Sequence, residues 1–257
     1  MLKVPCLVLD HDDTTVNSTA TVHYPAFVAY MEMKKYNDRI LSLEEYFNYN
    51  FEPGVIPMFT DACGLTEQEM QEEEVFWNKF VQEHIPKAYP GIREILEEQK
   101  RRGGKVCVIS HSFSENIRRD YRENNLPEPD MIFGWESPPE LRKPSPWPLE
   151  QIMRAYGFRP EELLVVDDLK PGYDMAKAAG VPFAAAGWAN DIKKIEDFMR
   201  KNCGLYFKTV QELREYLFSR PVKILRDAQD DTGISEWHKT IRMHGRSGRY
   251  RRRTAGE

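Results

Sequence analysis

A chain with five short apolar runs, three of them cut off abruptly by acids or a hydroxyl, has few folds open to it. Residues 4–9 read Val-Pro-Cys-Leu-Val-Leu and stop at Asp10. Lys105–Ile109 stops at Ser110, and Leu163–Val166 stops at Asp167-Asp168. A weaker run, Asp130–Phe133, and a shorter one, Pro182–Ala186, complete the set. Near-continuous apolar runs of this length are the pattern of strands covered on both faces, as in a parallel sheet. Helical segments fall between them. Ile92–Arg102 has apolar residues at 92, 95 and 96 ahead of Gly103-Gly104, while Trp147–Tyr156 and Gly172–Ala179 run into Gly157 and Gly180, placed as helix-ending glycines. The alternation predicts a right-handed, doubly wound α/β fold, with ligands bound at the carboxyl ends of the strands.

Residues 19–88 break the rhythm. They carry little strand signal, and apolar residues recur at helical spacing, as at Phe27, Tyr30 and Met31 or Phe76, Phe80 and Val81. The sequence predicts an inserted α-helical cap here, with loops at Asn50–Pro57 and Asp61–Gly64 and the acidic run Gln71–Glu74 facing solvent. The interval 110–143 leaves room for a single helix–strand unit and for no second cap. The expected division is therefore a core of residues 1–18 and 89–218, a cap of 19–88 and a basic segment of 219–257. In that last segment, seven basic residues face one acid from Trp237 onward, ending in Arg246–Arg253. A solvated tail is the expectation, and an arm touching nucleic acid or an acidic partner is the alternative.

The net charge of −5 disfavours a general nucleic-acid binder. Cys6, Cys63, Cys107 and Cys203 form no CxxC pair and read as reduced thiols of a cytoplasmic protein. No stretch reaches the ~18 apolar residues of a membrane span.

Four segments place polar residues just after strand-like runs or beside them. Asp10 and Asp12 stand at the end of the first, where buried charge is costly unless compensated; a bound Mg²⁺ compensates it, and a turn or helix cap is the simpler alternative. Ser110 can hold a phosphate oxygen at a helix N-terminus or merely cap that helix. Lys143, between Arg142 and Pro144, is a phosphate clamp or an ordinary loop lysine. Asp167 and Asp168 suggest metal again, with capping as the alternative.

Taken in order and spacing, Asp10-x-Asp12-x-Thr14, Ser110, Lys143 and Asp167-Asp168 resemble the four motifs of the haloacid dehalogenase superfamily. Leu9–Ser18 is similar to that family's opening, Tyr89–Leu96 to its return from cap to core, and Met175–Val181 to the helix after its fourth motif. The likeness covers about residues 4–217, and the insertion sits as in the phosphoglycolate phosphatase and β-phosphoglucomutase branch. It implies a Rossmann-like core and a Mg²⁺-dependent phosphatase acting on a small phosphorylated metabolite. By the same resemblance, Asp10 would form an aspartyl-phosphate and Asp12 would act as general acid and base. Mg²⁺ would be held by Asp10, the Asp12 carbonyl and Asp168, with Asp167 beside them. Thr14, Ser110, His111 and Lys143 would hold phosphate, although His111 can equally cap the following helix. A phosphomutase, or a binding protein working through its basic tail, are the alternatives. Lys34 and Lys35 lack the apolar surround of a Schiff-base lysine. Asp13, Thr15 and Gly172 depart from the family pattern, where Gly, an aliphatic residue and a second acid are common.

Overall fold

The computed structural model describes residues 2–219. All but Ser219 of the basic segment therefore lies outside the described residues. A six-stranded parallel sheet runs in the order β5-β4-β1-β6-β7-β8, with β1 Cys6–Leu9, β4 Lys105–Ile109, β5 Met131–Phe133, β6 Leu163–Asp167, β7 Phe183–Ala186 and β8 Leu205–Phe207. The five apolar runs read from the sequence are the first five of these strands: β4 as read, β6 one residue longer to Asp167, and the other three one or two residues shorter. The last strand was not anticipated, since Leu-Tyr-Phe is too short to stand out.

Alternation along the strands sorts side chains into two layers. Leu7, Leu9, Val106, Val108, Leu164 and Val166 face one way, against α5 Ile92–Arg101, α6 Ser114–Glu123 and α10 Val210–Phe218. Cys6, Val8, Cys107, Ile109, Leu163 and Val165 face the other, against α7 Trp147–Tyr156 and α8 Lys170–Ala179. Each helix supplies its buried stripe at the expected spacing; α5 offers Ile92, Ile95, Leu96 and Gln99. Gln99 is tolerated there because its amide donates to the Val4 carbonyl at 2.8 Å. The helix-ending roles of Gly157 and Gly180 hold, at φ 69° and 68°. Beyond β7, α9 Lys193–Asn202 packs Ile195 and Met199 beside Ala185.

Residues 19–83 are helical, as expected for the insertion. A π-helical turn at Thr19–His23 leads into α1 Tyr24–Met33; α2 Leu43–Phe51, a single turn α3 Val55–Pro57 and α4 Glu67–Glu83 follow. Ser42–Glu45 and Thr66–Glu69 form reciprocal capping boxes that start α2 and α4. Phe27, Tyr30, Met31, Tyr46, Met58 and Phe59 build a separate apolar cluster. Three expectations need correction. Asn50 and Phe51 end α2 and Val55–Pro57 form α3, so the loop expected at Asn50–Pro57 shrinks to residues 52–54. Met58–Ala62 is a further π-helical turn, so Asp61 lies in helix rather than loop. Glu73 is buried, because it sits on the α4 face turned toward α1, while Gln71, Glu72 and Glu74 are exposed. The chain enters and leaves this helical region through an antiparallel ribbon, β2 Val16–Asn17 with β3 Lys87–Ala88.

The last described helix, α10, belongs to the core, since Leu213 is fully buried among the residues of the first layer. Leu213→Ala should therefore lower the unfolding free energy by about 2–5 kcal/mol in a urea titration. A loss well below 1 kcal/mol would show that α10 is a peripheral attachment.

Candidate active site

Parallel pairing brings the strand ends into line: Leu9 stands opposite Val108 on one side and Val166 on the other. One residue further along stand Asp10 and Asp167, with Ile109 beside them, and Ser110 follows one position later, so all three polar residues reach one edge of the sheet. Lys143 arrives from the loop before α7 and donates from Nζ to Asp10 Oδ1 and Asp167 Oδ2, both at 2.8 Å. All three side chains are buried. Burial opposes the lysine's charge, but the two carboxylates outweigh it and hold the ammonium protonated well above its ordinary range.

Gly172 explains itself here. A Cβ on that residue would stand 2.1 Å from Asp167 Oδ2, so the helix start must be bare for Asp167 to reach Lys143. Asp167 Oδ1 also accepts from the Leu169 N–H at 2.9 Å. Asp13 likewise has a local task. It takes the turn at φ 56°, as an aspartate can, and its Oδ1 accepts from the Ser18 and Thr19 N–H groups at 3.2 and 3.1 Å. Thr15 donates to the Asp10 carbonyl at 2.7 Å, closing the same loop.

One oxygen each of Asp10, Asp167 and Asp168 lie within 4.8 Å of one another. Thr14 donates to Asp168 Oδ1 at 3.3 Å, while Asp168 Oδ2 is buried without a hydrogen-bond partner among the described residues. An orphaned carboxylate oxygen facing other acids is costly, and a hard divalent cation is the partner its chemistry fits. Burial pushes Asp10 up to about 7, helped by Asp167 and Asp12 and opposed by Lys143. Burial, with the charges of Asp13, Asp167 and Asp10, also raises Asp168 well above the carboxylate range. Asp167 is already engaged by Lys143 and a backbone N–H. Asp10 and Asp168 are thus the freer donors to a metal.

Asp12 points away from this cluster. Its Oδ2 accepts from Ser112 Oγ at 2.7 Å and Ser110 Oγ at 3.2 Å, and its Oδ1 meets His23 Nε2 at 2.8 Å. Burial opposes ionisation, but His23, His11 and Ser112 together hold Asp12 well below the usual carboxylate range. Burial also works against a charged His23, and the Asp12 carboxylate outweighs it, favouring the cation. The geometry decides otherwise: Trp77 Nε1–H donates to His23 Nδ1 at 3.0 Å, which requires a lone pair there. In this arrangement the ring carries one proton, at Nε2, directed at Asp12. Another histidine, the buried His11, meets Asp120 Oδ2 at 3.0 Å, and Arg119 clamps the other oxygen of Asp120.

The expected residues Asp10, Thr14, Lys143, Asp167 and Asp168 thus converge, with Asp12 and Ser110 joined to them through the loop. His111 stands at the exposed rim, its Nε2 3.2 Å from the Lys143 carbonyl oxygen, and neither caps a helix nor meets an acid. Ser112, His23, Trp77 and Asp120 escaped the sequence reading. Ser112, two residues past Ser110, carried a local signal; the others meet the loop only through the fold.

The sequence pattern of haloacid dehalogenase-like hydrolases matches residues 7–186. A phosphoglycolate phosphatase of Aquifex aeolicus is 27% identical over 194 residues, covering 72% of this chain and 82% of that protein. Pyrophosphatase PpaX of Bacillus cereus is 22% identical over 191 residues, covering 73% and 85%. Among solved structures, a predicted phosphoglycolate phosphatase of Haemophilus somnus superposes with a TM-score of 0.69 at 20% identity, over 84% of this chain and 99% of that one. A family hydrolase of Deinococcus radiodurans, with bound phosphate and sodium, gives 0.63 at 18% identity, over 83% and 95%. These structures share the fold.

The acid cluster carries a pH signature. Without a cation, Asp10 at about 7 and Asp13 at about 6 bind protons that the unfolded chain has released by about pH 4. Their favourable contribution is thus present below about pH 4 and lost as pH rises toward 7. The rise in melting temperature produced by Mg²⁺ over chelator should therefore grow across that window. An increment independent of pH would contradict the proposed cation site.

Proposed function

The chain belongs to the haloacid dehalogenase-like hydrolase family, and within it we propose a Mg²⁺-dependent phosphatase of small phosphomonoesters. The observation that carries this reading is the pairing of a buried carboxylate, Asp10, with Lys143 at 2.8 Å, beside the orphaned Asp168 oxygen. The names of its relatives, phosphoglycolate phosphatase and a pyrophosphatase, support phosphoryl chemistry.

In the proposed reaction an Asp10 oxygen attacks phosphorus, and the bond from phosphorus to the leaving alcohol breaks. Lys143 fixes one Asp10 oxygen and, with Ser110, offsets charge on the transferred group, whose transition state is chiefly an electrostatic problem. Thr14 orients Asp168, and Asp167 anchors Lys143 from the far side. Mg²⁺, held by Asp10, Asp168 and the Asp12 carbonyl, would supply charge neutralisation for the phosphate and the acids. Asp12 takes up a proton as substrate binds and gives it to the departing alcohol, and then, ionised again, takes one from the water that hydrolyses the aspartyl-phosphate. Its two serine bonds and its bond to His23 suit the ionised form, which the second step requires. His23 and Trp77 belong to the helical insertion, so that region contributes to the setting of Asp12 and reads as a cap that closes over substrate, turning at the β2–β3 ribbon. We place the protein in the cytoplasm, in keeping with its unpaired cysteines. No described helix is long and apolar enough to cross a membrane.

The test is phosphate release from a generic aryl phosphate, with and without Mg²⁺. Wild-type protein should turn over only with the metal, and Asp10→Asn should lose at least about a thousandfold while keeping its melting temperature. Near-wild-type turnover in the folded variant would remove the covalent mechanism.

A further inference from the structure

His11, Asp120 and Arg119 form a contiguous row of polar side chains that the proposed reaction does not use. His11 lies between Asp10 and Asp12 and is 1% exposed. It donates from Nε2 to Asp120 Oδ2 at 3.0 Å, and its ring lies against that of Tyr121 with centroids 6.0 Å apart. His11 Nδ1 is buried without a hydrogen-bond partner among the described residues. Asp120 is therefore the one polar group, among the described residues, that fixes the turn of this ring. Arg119 in turn fixes Asp120: Nε and Nη2 both donate to Oδ1, at 2.9 and 2.7 Å. Its remaining arm, Nη1, donates at 2.7 Å to the Val81 carbonyl in the last turn of α4. Asn124, at the end of α6, holds the same return segment. It donates to the Pro86 carbonyl at 3.0 Å and accepts from the Ala88 N–H at 2.9 Å.

Stability alone is a poor account of this row. The side chains of Arg119 and Asp120 are only 16% and 4% exposed, and an ion pair so placed is often no better than apolar residues of the same volume. A phenylalanine at position 11 would pack against Tyr121 without burying a polar ring. It would not tie the backbone to a fixed point on α6. The His11 carbonyl accepts from the Thr15 and Val16 N–H groups at 2.9 and 3.0 Å, so the turn that carries Asp12 is built on this one residue. A rotation at His11 would swing the Asp10 and Asp12 carboxylates and the Asp12 carbonyl away from the positions the reaction asks of them. Misplacement by about 1 Å can cost about a hundredfold in rate.

We propose that Asp120 is a positioning residue: acting through His11, it sets the loop that carries Asp10 and Asp12, with Arg119 anchoring it to the end of α4. This rests on the phosphatase reading above and adds to it a residue that acts on the reaction from behind the loop. Through Arg119 the helical insertion gains a second hold on that loop, separate from the His23–Asp12 contact.

Hydrolysis of an aryl phosphate with Mg²⁺, followed as kcat and KM separately, tests the assignment in a double-mutant cycle. Asp120→Asn keeps an oxygen for Arg119, so its amide nitrogen faces His11 and the acceptor for Nε2–H is lost. Its kcat should fall about tenfold or more, with KM within about twofold of wild type. His11→Phe should lose as much, and combining the two should lose no more than either alone. Losses that multiply in variants with unchanged melting temperatures, or a wild-type kcat in either single variant, would overturn the assignment. Should Asp120→Asn fail to fold, Arg119→Ala, at the more exposed end of the row, takes its place in the same cycle. Absence of Mg²⁺-dependent turnover in the wild-type protein would strike the phosphatase reading instead. Hydrogen exchange then decides for Asp120: backbone amides of residues 11–18 should lose protection in Asp120→Asn and His11→Phe alike, and unchanged protection in both would overturn its role.

Discussion

The ammonium of Lys143, 2.8 Å from Asp10 on one side and from Asp167 on the other, joins three segments separated by 133 and 24 positions in the chain. It lies where β1 and β6 end side by side, and the backbone around it is arranged to make room. Gly172 is bare so that Asp167 can turn toward the lysine, and Thr15 ties down the Asp10 carbonyl. Removing one partner from a buried ion cluster of this kind typically costs about 3–5 kcal/mol, because the remaining charges are stranded. The lysine alone does not balance the acids around it. Asp10, Asp13 and Asp168 all sit above their ordinary range through burial and mutual repulsion. That residual imbalance is what a divalent cation would relieve.

Neighbouring carboxylates of one loop acquire different properties from their surroundings. Asp10 is drawn to a lysine in an otherwise acidic interior, and Asp13 is used up in capping the turn at Ser18 and Thr19. Asp12, between them, is turned outward to two serines and a histidine, and is held ionised. Divergence of this sort between adjacent acids is the condition for one to act as nucleophile and its neighbour to move protons. The histidine and its tryptophan partner come from the helical insertion, so the environment of Asp12 is complete only with that region seated on the core.

Much of this was legible in the chain because the strands are covered on both faces and their apolar runs are interrupted only where chemistry begins. Leu7-Val8-Leu9 before Asp10 and Leu164-Val165-Val166 before Asp167 locate both the sheet and the site. What escaped was set by tertiary contact rather than local pattern. The strand Leu205–Phe207 pairs only with β7 at the sheet edge and is too brief to announce itself. Glu73 reads as one of three consecutive glutamates, and only the packing of α4 against α1 shows that it is the inward one. Gly172 looks like a lost acid until the Asp167 carboxylate is seen against it. His23 and Asp120 reach the loop after β1 from 11 and 109 positions away, and no spacing rule connects them to it.

Whether Asp10 carries the phosphoryl group can be read directly. The protein would be mixed with a ³²P-labelled aryl phosphate and Mg²⁺, quenched in acid within a single turnover, and its peptides mapped. Label on the peptide containing Asp10, absent from the Asp10→Asn protein, is the expected result. Phosphate released at the wild-type rate with no label on that peptide would contradict the covalent role assigned to Asp10.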